Sequence, residues 1–368
     1  MTDPIRAWLF AALSGRPLTP PMPDADAVVA AARDDGVLCL LERQLAAHPQ
    51  AASFPETFTS IIIDEARTDT FEALAMLAEQ RKVFDALSAA DSECLVMKGG
   101  ALAHWLYERP HLRLITDLDL LLPDRASVDA LEGLFAGLGY APVLANPVAN
   151  ERAYQKPGGP HGQFSVDAHW HLFNRSLLRD SFSYAELRAE AMDLPACGAV
   201  KGLSPVHALF NAVGHRALSL PHRYLQGIQR ADCLRWLWDI HALALSLDAA
   251  QWQRVLALAK QKQCSALIQE ALHRVRAEFG TGIPDDVMQA LSRQAPTEPM
   301  QMAWFASMPR YQWQEFLASD SRWYGRWRWL WLRLWPDRQW VRARYGKGEP
   351  LWITLPRRFA AGLKRLWG

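Results

Sequence analysis

The chain has no paired-cysteine motif. Its five cysteines, Cys39, Cys94, Cys197, Cys233 and Cys264, are scattered, odd in number and never spaced C-x-x-C. That argues against a zinc ribbon and against a disulfide framework, so the expected compartment is the reducing cytoplasm. No apolar run reaches the ~20 residues that a bilayer-spanning helix needs. The N-terminus, M-T-D-P-I-R-A-W-L-F-A-A-L, holds too short an apolar stretch for a signal peptide. No internal repeat is evident. Half of the 368 residues are hydrophobic, which excludes wholesale disorder and leaves room for two domains with a sizeable core.

What the sequence does have is concentrated in residues 97–122, MKGGALAHWLYERPHLRLITDLDLLL. Residues 94–98, CLVMK, are apolar and short, which predicts a buried strand ending at Lys98. Gly99 and Gly100 follow, and the stretch from Ala101 to Tyr107 reads as helix. Backbone without side chains lets N–H groups approach an anion, and a helix N-terminus favours phosphate. Lys98 is either a solvated strand end or a charge that neutralises that phosphate.

Further on, T-D-L-D-L-L-L predicts a strand with Asp117 and Asp119 on one face, roughly 7 Å apart. Paired carboxylates there can hold Mg²⁺ carried on a phosphate chain. A third carboxylate is expected at Asp167, in Q-F-S-V-D-A-H-W-H-L-F, whose alternation puts Ser165, Asp167, His169 and His171 on one face. It would complete the metal site or take a proton from the attacking group. Glu151 is its rival. His169 is expected to orient Asp167 or touch nucleotide, with a D-x-H-x-H transition-metal cluster as the alternative. His104 and His111 read as ordinary surface residues. Arg113 stands between pairing with a carboxylate and contacting substrate.

Taken together, these segments resemble a known group. Hydrophobic-Gly-Gly, a short helix, then hydrophobic-Asp-hydrophobic-Asp-hydrophobic is similar to the signature of the polymerase-β-like nucleotidyltransferase superfamily. Lys98–Leu102, Arg113–Leu122, Val166–Trp170 and Leu234–Ile240 resemble more closely the bacterial group called nucleotidyltransferase family proteins, over roughly residues 70–280. The resemblance implies that Asp117, Asp119 and Asp167 are catalytic and bind Mg²⁺. It also implies a nucleoside triphosphate as co-substrate, held by Gly99 and Gly100, with Lys98, Arg113 and His169 beside it. The superfamily often has Ser at the second glycine; Gly100 lacks that hydroxyl. The implied reaction moves a nucleoside monophosphate to an acceptor and releases pyrophosphate. The acceptor is open: a small molecule, a peptide or protein, or an RNA.

The expected fold is α+β: a small mixed β-sheet nucleotidyltransferase core flanked by N-terminal helices and a C-terminal helical domain. The expected divisions are residues 1–90 helical, 91–202 catalytic core, 203–320 helical and 321–368 tail. Residues 124–138 read as one helix between strands, and residues 146–160 as loop, with K-P-G-G-P marking a turn. Ser204 and Pro205 read as the cap and first turn of a helix. In that helical part, Arg235 and Asp239 either form a surface i,i+4 pair or line an acceptor or base pocket with His215.

The tail is compositionally separate. Residues 321–368 hold eight of the sixteen tryptophans and twelve Lys/Arg against two acids, a net of +10. The preceding 320 residues carry 28 basic and 37 acidic side chains, a net of −9. Trp323, Trp327, Trp331 and Trp335 would form one stripe on a helix. Three readings stand for the tail: peripheral contact with a membrane, binding to nucleic acid, or a helix packed on the body. A non-catalytic binding module working through this tail is the alternative to an enzyme.

Overall fold

The computed structural model describes residues 4–18, 20–143, 150–160, 162–225, 232–305, 308–319, 326–327 and 331. The chain begins with short helices α1 (Pro4–Leu13), α2 (Ala25–Asp34) and α3 (Leu38–Ala46). Asp24 caps α2 by accepting from the Ala27 N–H at 3.0 Å. Helix α4 (Glu56–Ala89) then runs for 34 residues, about 50 Å at 1.5 Å per residue. Its buried side chains fall into two sets. Phe58, Ile62 and Ala66, four apart, join a helical core, whereas Val83, Phe84 and Leu87 join the core under the sheet. Phe71 and Leu74 between them are exposed. Helix α4 is therefore the spine that ties the two cores together.

The sheet region follows in the order β1 (Leu95–Val96), α5 (Lys98–Trp105), β2 (Leu118–Leu121), α6 (Arg125–Ala130), α7 (Glu132–Gly137), β3 (Ala141–Pro142), β4 (Glu151–Pro157), β5 (Gln163–His169), α8 (Tyr184–Ala189), β6 (Met192–Asp193) and β7 (Lys201–Gly202). Spatial order is β3-β4-β5-β2-β1-β7-β6. The sheet is mixed: β2 runs parallel to β5 and β1 parallel to β7, while the other pairs are antiparallel. This is the α+β fold with helical flanks that the sequence predicts.

Three local expectations need correction. The first strand stops at Val96, and Lys98 opens a helix instead of ending a strand. The segment 146–160 contains strand β4, which forms a hairpin with β5 across Gly158–Gly162. The single helix over 124–138 is two, with Leu131 as the junction.

The remaining helices are α9 (Pro205–Leu225), α10 (Leu234–Ser246), α11 (Ala249–Gln261), α12 (Ser265–Phe279), α13 (Asp285–Gln294) and α14 (Met308–Ala318). Ser204 Oγ accepts from the His207 N–H at 3.3 Å, as its sequence position predicts. The helical core draws on both ends of the chain. Phe10 meets Phe279 edge-on with ring centroids 5.1 Å apart, and Arg6 donates to the Asp232 carbonyl at 2.7 Å. The N-terminal helices and the helices after residue 203 thus bury one shared apolar interior. No helix among the described residues is long and apolar enough to cross a membrane. Most of the tail and its proposed tryptophan stripe lie outside the described residues; Trp327 and Trp331 are described and exposed.

Candidate active site

The site is built where β1 passes into α5 and where β2 lies beside β5. Met97 is extended, and Lys98 then takes a positive φ of 48° to enter the helix. That is an uncommon conformation for a residue with a Cβ. The two glycines serve different ends. A Cβ on Gly100 would stand 2.9 Å from Leu118 Cδ1, so its bareness lets α5 lie against β2. A Cβ on Gly99 would meet the Arg113 guanidinium at 3.2 Å, on the cavity side.

Parallel pairing of β2 and β5 sets Asp119 directly beside Asp167. Neighbouring strands lie about 4.8 Å apart, so the two carboxylates share one small space. Asp117 sits one residue before β2, on the same side of the alternation. Asp119 is buried. It accepts from Lys98 Nζ at 2.6 Å and from His169 Nε2 at 2.8 Å. The other ring nitrogen of His169 lies 3.0 Å from Asn174 Oδ1 and 3.4 Å from Glu151 Oε2, and Asn174 donates in turn to Glu151. Ligand atoms of Asp119, Asp167 and His169 all fall within 4.8 Å of one another.

The electrostatics divide the carboxylates. Burial pushes Asp119 upward, but Lys98 and His169 outweigh it and hold the group well below the usual carboxylate range. Burial and the neighbouring Asp119 charge push Asp167 up to about 7. Asp117 is raised for the same two reasons. Burial opposes the charge on Lys98, yet Asp119 and Asp117 keep its ammonium more strongly protonated than usual. Burial also works against protonation of His169, and the hydrogen bond to Asp119 reverses it, so this ring is raised.

A cavity of about 260 Å³ opens beside this cluster. Lys98, Gly99, Arg113, Asp117 and Asp119 line it from the sheet side, and Asn211, His215, Arg235 and Asp239 from α9 and α10. His215, Arg235 and Asp239 therefore face one pocket. The surface pair between Arg235 and Asp239 does not form. Asp239 instead takes a bidentate contact from Arg113, Nε at 2.8 Å and Nη2 at 2.7 Å, and a third bond from the Tyr107 hydroxyl at 2.6 Å. Arg113 is thus anchored to a carboxylate within the pocket wall. Burial and Lys98 push His215 down to about 3, so it is neutral at physiological pH.

Other expected residues are placed as follows. Gly100 is behind the cavity rather than in its lining. Glu151 pairs across β4 and β5 with His169 and reaches its outer nitrogen. His171 stands apart, half-buried, with Asp180 at 4.0 Å, and is no part of the three-ligand cluster. His104 and His111 are half-buried and not ordinary surface groups; burial lowers both. Sequence reasoning missed Asn174, which fixes His169, and Tyr107, which shares Asp239. Neither sits in a pattern that would have marked it.

The donor set suits a divalent cation. Asp119 and Asp167 can offer hard oxygen ligands, with Asp117 on the same side of β2 but outside the three-residue cluster. His169 stands behind that set: Nε2 bonds Asp119 while Nδ1 faces Asn174 and Glu151, so the ring orients the Asp119 carboxylate.

A mixed sheet that sets an Asp-x-Asp strand beside a third aspartate, next to a helix with two glycines in its first turn, defines a nucleotidyltransferase core. A family model described as uncharacterised nucleotidyltransferase matches residues 21–280, and the chain belongs to that family. A comparison with curated proteins gives no match.

Proposed function

We propose that this nucleotidyltransferase moves a nucleoside monophosphate from a nucleoside triphosphate, ATP among the candidates, to an acceptor group, releasing pyrophosphate. The acceptor heteroatom forms a bond to the α-phosphorus, and the bond from that phosphorus to the pyrophosphate oxygen breaks. The observation that carries the reading is the register that sets Asp119, a residue of the cavity wall, beside Asp167. Asp117, Asp119 and Asp167 would hold Mg²⁺, which when bound supplies charge neutralisation for the triphosphate. His169 keeps Asp119 ionised and oriented. Lys98 and the first N–H groups of α5 give positive potential beside Gly99. Asp167 would hold the second ion or, where it is left free of metal, accept the proton of the attacking group.

The test is calorimetric titration of each triphosphate with Mg²⁺, run on the parent chain and on Asp117→Asn. The reading expects Mg²⁺-dependent binding that the substitution removes. A folded parent that binds no triphosphate in any metal condition would end it.

A second element of the reading concerns the tail. We propose peripheral contact of a cytoplasmic protein with an anionic surface, supported by the +10 tail, the −9 remainder and the exposure of Trp327 and Trp331. Co-sedimentation with anionic vesicles that survives in high salt unchanged, or that does not occur at all, would remove it.

A further inference from the structure

We infer that Arg235 is the centre of a phosphate-binding subsite on the α10 wall of the cavity, separate from the glycine end of α5. The inference deepens the proposed transfer reading by assigning a second anion position to the same pocket. Its argument is one of charge accounting. Lys98 is held by Asp119, Arg113 is held by Asp239, and Arg216 lies between Asp232 and Glu270. Arg235 differs from them. Among the described residues it has no carboxylate within salt-bridge distance. Nη1 reaches only the Leu114 carbonyl at 3.3 Å, and Nε is buried without a partner.

The surrounding groups do not supply the missing anion. Both oxygens of Asp239 are occupied by Arg113, with Tyr107 on one of them. Asp117 lies in the same cavity and, with Asp239, favours the charge on Arg235 without bonding it. His215 adds no charge. Asn211 and Trp105 in the same lining carry buried Nδ2 and Nε1 groups without partners. A guanidinium fork fits the oxygens of a phosphate group. Burial and the nearby Arg113 charge weaken the protonated form of Arg235, and a bound anion would reverse that cost.

Such a phosphate has two sources: the tail of the triphosphate, or a phosphate borne by the acceptor. Isothermal titration with inorganic phosphate in the presence of EDTA tests the subsite without any transfer chemistry. The parent should bind, and Arg235→Gln should weaken binding by about tenfold or more, the worth of one charge-assisted contact. Arg235→Lys, which keeps the charge and loses the fork, should fall between them and guards against a folding artefact. Asp117→Asn, which leaves the Lys98–Asp119 pair intact, should keep phosphate binding while losing Mg²⁺-dependent triphosphate binding, so failure of the transfer reading is separable from failure of this one. With the parent saturated by a non-hydrolysable triphosphate and Mg²⁺, continued phosphate binding assigns the subsite to the acceptor. Displacement assigns it to the triphosphate. A folded parent that binds no phosphate, or a folded Arg235→Gln that binds it as the parent does, overturns the inference.

Discussion

Asp167→Asn should stabilise the isolated protein, and the gain should depend on pH. The carboxyl is pushed from 3.8 to about 7 by burial and by Asp119. Between these values the folded state holds a proton that the unfolded chain has released. Stability therefore falls as pH rises through that window, and the full penalty stands above pH 7. A displacement of about three units at ~1.36 kcal/mol each gives about 4 kcal/mol as an upper bound. Solvent access and relaxation bring the expected effect to about 1–3 kcal/mol. Asparagine resembles the protonated acid in shape and removes the charge. The variant should match the parent near pH 4 and exceed it increasingly up to pH 8, in urea denaturation without divalent metal. Excess Mg²⁺ should shrink the difference, because the cation relieves the parent alone. A variant less stable than the parent at pH 8, or a gain that ignores pH, would refute the reasoning.

The two aspartates of the Asp-x-Asp pair should separate in stability. Asp119→Asn leaves Lys98 and His169 facing a lost charge and should cost about 3–5 kcal/mol in denaturant titration. Asp117→Asn, at a raised carboxylate that accepts from the Thr116 hydroxyl at 3.1 Å, should lose transfer with little loss of stability. Arg113→Met should cost about 3–5 kcal/mol by stranding Asp239, and the double change with Asp239→Leu should recover much of it. Gly100→Ala should cost about 1–3 kcal/mol, because the added methyl meets Leu118 at 2.9 Å; a neutral result in thermal melts would contradict the packing role.

The site was legible where chemistry and spacing coincide within one segment. Asp117 and Asp119 announce themselves by alternation in an apolar run, and Asp167 by the alternating segment around it, which the family resemblance of Val166–Trp170 then supports. Their adjacency was not legible, because strand pairing between residues 119 and 167 leaves no trace in either segment. The contact between Arg113 and Asp239 spans 126 positions and could be read only as one of two options. Strand β4 was hidden by polar composition and by the glycine turn that in fact closes its hairpin with β5. The five apolar-leaning residues 94–98 read as strand, whereas at Lys98 the chain already enters its helix through a positive φ. Residues at both ends of the chain share one interior, since apolar faces carry no label of their partner.

The most direct test of the central claim is label transfer. The protein is incubated with Mg²⁺ and each triphosphate, labelled at the α- or at the γ-phosphate, together with a mixed pool of small-molecule and macromolecular acceptors. The account predicts that α-label moves to an acceptor, that γ-label leaves as pyrophosphate, and that Asp117→Asn abolishes both. Transfer of γ-label to an acceptor, or transfer of α-label that persists in Asp117→Asn, would contradict it.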